Sequence, residues 1–175
     1  GIGGHCIPID PLYLNWKASK LGIRTDFINL SAKINIKIIN FLIKKINIFL
    51  KKKRIKLKNS KILILGMAYK RNIDDYRESA SIKLIKYLFK KKVKVKYHDP
   101  YIKNIITEKK LKFQSIKLNP RVLKSFNLVI LMTDHEIFNY KMIYKNSNQI
   151  IDCRGRYNLD KKIISYLVEN NFINH

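Results

Sequence analysis

Lys61-Ile62-Leu63-Ile64-Leu65-Gly66-Met67-Ala68-Tyr69-Lys70 is the stretch on which the reading of the fold turns. A short apolar run closed by glycine is the pattern of a strand buried on both faces, as in a parallel sheet. Three more strands follow. Val93-Lys94-Val95-Lys96-Tyr97 alternates like an edge or half-buried strand and is stopped by His98-Asp99-Pro100. Asn127–Met132 is another buried run, ending at Thr133-Asp134, and Gln149-Ile150-Ile151-Asp152-Cys153 is the fourth. A helical stripe over Ser79–Lys90 (Ile82, Ile85, Leu88, Phe89) and helical stretches around 103–109, 135–145 and 159–169 lie between and after them. Strands alternating with helices predict an α/β domain: an open, mainly parallel sheet covered on both faces, with ligands at the carboxyl ends of its strands.

Upstream, residues 11 to about 50 read as one long amphipathic helix, with Ile34, Ile38, Leu42, Ile46 and Phe49 at helical spacing. Its apolar face is wider than a membrane-surface helix needs, so burial against another domain or subunit is the expectation. Lys51-Lys52-Lys53-Arg54 and the lysines after it mark a solvated connector.

Composition narrows the function classes. The 175 residues carry a net charge of +25, which ordinarily points to an anionic partner. The basic residues, however, are 30 Lys against 7 Arg, and 30 Ile stand against 4 Ala, a skew toward residues of AT-rich codons. Nucleic-acid readers lean on Arg for bidentate contacts, and no nucleic-acid-binding motif is present, so no nucleic-acid partner is expected. Cys6 and Cys153 are the only cysteines, without a Cys-x-x-Cys or Cys/His cluster, so neither a disulfide scaffold nor a metal site is expected. A cytoplasmic location is the simplest reading. No apolar run reaches transmembrane length, since Lys37, Lys44 and Lys45 interrupt those between Asn35 and Leu50, and no membrane partner is expected.

Two segments carry candidate chemistry. Gly1-Ile2-Gly3-Gly4-His5-Cys6-Ile7-Pro8-Ile9-Asp10 places a cysteine and an aspartate four residues apart in a glycine- and proline-rich loop. A cysteine held there can act as a nucleophile through its thiolate, although a lone cysteine is more often an inert small hydrophobe. Asp10 reaches Cys6 if the loop curls into a helical turn, whereas adjacent His5 diverges from it. The second segment, Tyr69–Ser79, sets Lys70 and Arg77 at a strand end just before a helix, where a point charge and a planar fork suit phosphate or carboxylate. Asp74 and Asp75 can orient them or cap the helix. A surface turn with weak ion pairs is the bland alternative. Cys153 ends a buried strand and reads as structural, and His98 and His135 read equally well as ligand contacts or turn residues.

Together these segments resemble the UDP-glucose/GDP-mannose dehydrogenase family. GIGGHCIPIDPLYL with NWKA resembles its active-site segment, and KILILGMAYKRNIDDYRESAS the start of its UDP-binding domain; YHDPY, VILMTDHEIFNY and IIDCRGRY follow in family order. The detail is most similar to the branch acting on UDP-N-acetylglucosamine or its mannosamine epimer. The resemblance implies a division into an active-site loop (1–10), a central helical dimerisation segment (11–58) and a C-terminal Rossmann-like, UDP-binding domain (59–175). It implies oxidation of a sugar C6 alcohol to the uronic acid with two NAD+, through a thioester on Cys6, with Asp10 assisting proton transfer or placing water. It further assigns Gly3 and Lys70 to the UDP-sugar substrate, Arg77 to NAD and, more weakly, Arg154 to substrate phosphate. Homo-oligomerisation through the central helix is also implied.

Two departures stand out. UDP-glucose-specific members place a lysine where this chain has Ile9, and no Gly-x-Gly-x-x-Gly fingerprint occurs in the 175 residues. The expectation is therefore a C-terminal portion whose NAD-binding N-terminal half is absent, inactive alone. An inactive remnant that keeps UDP binding or dimerisation is the alternative, with UDP-glucose the alternative substrate.

Overall fold

A computed structural model describes residues 2–108, 110–157 and 162–165. Two helices, α1 (Cys6–Lys20) and α2 (Asp26–Lys52), precede a sheet unit. That unit runs β1 (Lys61–Leu65), α3 (Ala80–Lys90), β2 (Lys94–His98), β3 (Asn104–Ile106), β4 (Lys112–Gln114), α4 (Pro120–Lys124), β5 (Leu128–Leu131), α5 (Tyr140–Asn146), β6 (Ile150–Asp152) and β7 (Ile163–Ser165). The strands pair in the order β2-β1-β5-β6-β7, all parallel, as the apolar runs of β1 and β5 predict. Register sets Ile64 between Tyr97 and Ile130, which stacks the apolar positions of adjacent strands on shared faces.

Alternation along the strands divides the core in two. Ile62, Ile64, Tyr97, Leu128 and Ile130 face Leu42, Ile46 and Leu50 of α2 and Leu84, Ile85 and Leu88 of α3. Leu63, Leu65, Val129 and Leu131 face Leu123 of α4, Ile143 of α5, and Phe126 and Phe138. The carboxyl-terminal half of α2 is thus one of the layers on the sheet, continuous with the core across residues 58 and 59. Its amino-terminal half and α1 lie beyond the sheet and leave Trp16, Phe27 and Ile36 exposed.

Several local expectations change. The expected single helix over 11–50 is two: Gly22 N–H and Ile23 N–H donate to the carbonyls of Ser19 and Ala18, and this αL turn ends α1. The first helix also begins earlier than expected, at Cys6. Pro8 falls in its first turn, where a missing N–H breaks no helical bond. In place of a helix over 103–109, Asn104–Ile106 pairs antiparallel with Lys112–Gln114. Ile105 and Thr107 are buried while Asn104 and Ile106 are exposed, the period of two that β-branched residues favour. Around 135–145 only Tyr140–Asn146 is helical, capped by Asn139 Oδ1 accepting from Met142 N–H. Ahead of it, His135 and Phe138 turn inward. Of the helix expected at 159–169, Lys162 is in a turn and Ile163–Ser165 is instead the edge strand β7, while 159–161 and 166–169 fall outside the described residues. Among the described residues no helix is long and apolar enough to cross a membrane.

If α2 is integral to the core, Leu42→Ala, at a site 1% exposed, lowers stability by about 3 kcal/mol in urea denaturation, while Ile48→Ala, at a site 51% exposed, costs less than about 1 kcal/mol. Equal, small losses at both sites would show that α2 packs independently of the sheet.

Candidate active site

The glycine-rich segment is fixed by its backbone. Ile2 N–H donates to Asn35 Oδ1 at 2.7 Å, and Asn35 Nδ2 donates back to the Ile2 carbonyl at 2.9 Å, a two-point clamp from α2. Gly4 N–H donates to the Arg77 carbonyl at 3.1 Å, so the segment also rests on the turn after β1. Neither glycine tolerates a side chain. A Cβ on Gly3 would lie 2.7 Å from Tyr69 Cβ and 3.0 Å from the Glu78 carbonyl, and Gly4 combines a φ of +84° with a Cβ position 2.8 Å from the Tyr69 ring.

From there the chain enters α1, with Ile9 N–H donating to the His5 carbonyl. The helical turn puts Cys6 and Asp10 on one side, as the i, i+4 spacing requires. Both are exposed, and both line an open groove of about 920 Å³ between α1, α2 and the start of α3. Asp10 Oδ1 stands 3.4 Å from His5 Nδ1.

The turn Tyr69–Ser79 supplies the opposite wall only in part. Glu78 and Lys83, paired at 3.3 Å, line the groove with Cys6 and Asp10, whereas Lys70 and Arg77 are exposed outside it. Arg77 folds back on Asp75, with Nη2–Oδ2 at 2.7 Å and Nε within 3.1 Å of both carboxylate oxygens. The guanidinium beside it holds the Asp75 carboxyl below the usual carboxylate range against the opposing effect of burial. Asp75 also accepts Tyr69 N–H on its backbone carbonyl, closing the turn. Of the two aspartates, then, Asp75 orients the arginine, and Ser79 caps α3 through Ser81 N–H. Arg154 lies at the end of β6, with Nε donating to the Met132 carbonyl at 2.6 Å and 3.8 Å from Asp134.

Beneath this turn lies a network that strand-by-strand reading of the sequence did not bring together. Asp99, at the end of β2 and 2% exposed, accepts Met67 and Ala68 N–H and His135 Nε2–H on Oδ2, and Tyr101 and Ile102 N–H on Oδ1. His135 Nδ1 in turn accepts Asn72 N–H at 2.9 Å, and Asn72 Oδ1 accepts Glu136 N–H at 3.0 Å. Burial opposes ionisation of Asp99, but the bonds from His135, Met67 and Ile102 prevail and bring its pKa down to about 2. The available signal was positional: Asp99, His135 and Asn72 all follow the ends of adjacent parallel strands, where side chains converge.

The remaining candidates are structural. His98 Nδ1 bonds the Ile116 carbonyl at 2.7 Å, and burial lowers the pKa of its ring. Burial pushes the Cys153 thiol up to about 12. Arginine placement also carries a signal: four of the seven arginines (Arg71, Arg77, Arg154, Arg156) follow β1 or β6, in a chain that otherwise uses lysine. Among the described residues no group of three or more His, Cys, Asp or Glu could hold a metal ion.

The chain is similar to known proteins over most of its length. A model of the UDP-glucose/GDP-mannose dehydrogenase family, UDP binding domain, matches residues 63–159, and that of the same family's central domain matches residues 1–37. UDP-N-acetyl-D-glucosamine 6-dehydrogenase of Salmonella typhi is 28% identical over 137 residues, 78% of this chain and 32% of the relative. The solved UDP-D-ManNAc dehydrogenase of Pyrococcus horikoshii superposes with a TM-score of 0.75 at 27% identity, over 94% of this chain and 38% of that one. The GDP-mannose dehydrogenase of Pseudomonas aeruginosa, at 18% identity, shares the fold with a TM-score of 0.73 over 95% of this chain and 39% of that one. The chain spans about a third of the length of the curated relatives it matches.

The Asp99 network makes stability depend on pH with a definite sign. The folded-state pKa lies near 2 against an ordinary 3.8, so the stabilisation is complete above about pH 4 and is lost as pH falls through 2. The shift is worth ~2 kcal/mol. Asp99→Asn is expected to lower stability at pH 7 by about 3 kcal/mol and to flatten the fall between pH 4 and pH 2. Urea midpoints measured across that range check both, and an unchanged acid limb in the variant would remove Asp99 as its source.

Proposed function

Because the chain belongs to the UDP-glucose/GDP-mannose dehydrogenase family, we propose that it forms the nucleophile-bearing and UDP-sugar-binding part of a nucleotide-sugar 6-dehydrogenase, an enzyme that oxidises the C6 alcohol of a UDP-N-acetylhexosamine to the uronic acid. The observation that carries this reading is the placement of Cys6: exposed, one helical turn from Asp10, in a groove whose edge is bonded through Gly4 to the Tyr69–Ser79 turn. The substrate class is supported by relatives named for UDP-N-acetyl-D-glucosamine and UDP-N-acetyl-D-mannosamine, and by Ile9 in place of the lysine of UDP-glucose-specific members.

In this reading Cys6 Sγ, as thiolate, adds to the C6 carbon at the aldehyde level to give a thiohemiacetal, and loss of a second hydride and a proton from that centre leaves a thioester on Cys6, so that no reactive aldehyde is released. Asp10 exchanges the proton at that centre or places the water that cleaves the acyl group. The Gly3 backbone, close-packed on the Tyr69 turn, faces the sugar nucleotide, and Lys70 meets its phosphates as a point charge, with Arg154 a second, weaker candidate. NAD is the hydride acceptor such an oxidation needs. The residues present offer it Arg77, already oriented by Asp75, but no glycine-rich dinucleotide loop, so its site is not built from them. The exposed apolar residues of α1 and α2, with Phe27 83% exposed, support burial of this face against a further domain or a second subunit.

Mixing the chain with a separately expressed NAD-binding half of a related enzyme tests the proposal. Uronic acid should form from UDP-N-acetylglucosamine, and Cys6→Ser should reduce the rate at least about 100-fold. Undiminished product from Cys6→Ser overturns the covalent role, and equal turnover of UDP-glucose overturns the substrate assignment.

A further inference from the structure

We propose that His135 is a positioning residue for the UDP-sugar site: its Nδ1 holds the backbone N–H of Asn72 and so fixes the turn that carries Lys70 and Arg71. The role in ligand binding rests on the functional reading above, whereas the positioning itself rests on geometry.

The imidazole is fully buried, between the ring of Tyr101 at 5.1 Å and that of Phe138 at 5.2 Å, so it has no access to ligand and acts only through what it bonds. Its hydrogen-bonding assigns its proton. Asn72 N–H is a backbone donor and can only donate, so Nδ1 is the acceptor. The Asp99 carboxylate can only accept, so Nε2 carries the hydrogen. A proton on both nitrogens would set Nδ1–H against Asn72 N–H, and the opposite tautomer would break both bonds at once. Asp99 thereby sets which nitrogen of His135 is free to accept, and His135 passes that choice to the turn.

The turn needs this help. Asn72 has a φ of +61°, a left-handed conformation that is uncommon for a residue with a side chain, though Asn adopts it more readily than most. Two bonds hold it there: its N–H to His135 and its Oδ1 from Glu136 N–H. The ion pair next to Asn72 in sequence, Arg71–Asp134 at 3.3 Å, has a half-exposed arginine and contributes little. Lys70 and Arg71 are thus held from below by a buried ring while their charged ends reach solvent.

Two substitutions separate the two nitrogens. In His135→Asn the amide oxygen takes the place of Nδ1, which keeps the acceptor for Asn72 and loses the donor to Asp99. In His135→Gln the amide nitrogen takes the place of Nε2, which keeps the donor and loses the acceptor. Amide exchange at Asn72 and titration with UDP are read on the 175-residue chain, alongside nitrogen chemical shifts of the wild-type imidazole. The expected result is an unprotonated Nδ1, exchange at Asn72 about 10-fold faster in His135→Gln than in His135→Asn, and UDP binding weakened ~5- to 10-fold in the Gln variant alone. A protonated Nδ1 in the wild type overturns the proposal even if neither variant folds. So does wild-type protection of Asn72 in His135→Gln, or equal loss in both variants, which would mark His135 as packing only. Absence of UDP binding by the wild type, with the exchange pattern intact, would instead count against the functional reading and leave the positioning in place.

Discussion

One buried carboxylate organises the ligand-facing end of this molecule. A carboxylate removed from water is stable only if its oxygens are met by donors, and Asp99 is met by four backbone N–H groups and one imidazole N–H. Those donors come from the residues after β1, from its own turn after β2, and from the residues after β5. Each would be an unsatisfied donor without it. The carboxylate is therefore a common acceptor that holds three adjacent strand ends in one arrangement, and the turn bearing Lys70 and Arg77 is built on that arrangement.

The connection to the candidate nucleophile is made through backbone. Tyr69 packs where the side chains of Gly3 and Gly4 would be, Gly4 N–H bonds the Arg77 carbonyl, and Asn35 holds Ile2 from the other side. Cys6 follows two residues later at the start of α1. Its position is thus referred to both α2 and the sheet, and α2 is itself seated on the sheet by Leu42, Ile46 and Leu50. A thiol on an exposed helix end acquires a defined place because the segment before it is bonded to both α2 and the turn after β1.

The parts most legible in the sequence were those governed by local pattern. The apolar runs of β1 and β5 announced a parallel sheet, and the stripe Ile82, Ile85, Leu88 announced α3, because burial on a periodic element writes itself as a period. Less legible were elements decided by competition. Asn104–Ile106 carries apolar residues that fit either period, and pairing with Lys112–Gln114 resolves it. The helical pattern over 11–50 reads as one helix because it is apolar on both sides of Gly22, where the chain turns between α1 and α2.

The same division holds for the candidate site. Sequence alone determined the residue types available: a cysteine and an aspartate at helical spacing, glycines before them, a lysine and an arginine after the first strand, and the family to which these motifs are similar. Tertiary structure alone decided that Arg77 is turned toward Asp75, that Lys70 lies outside the groove lined by Cys6 and Asp10, and that Asp99, His135 and Asn72 form one network. The reason is physical. A hydrogen bond between residues 36 or 63 positions apart depends on how parallel strands are ordered in the sheet, and no local propensity along the chain encodes that order.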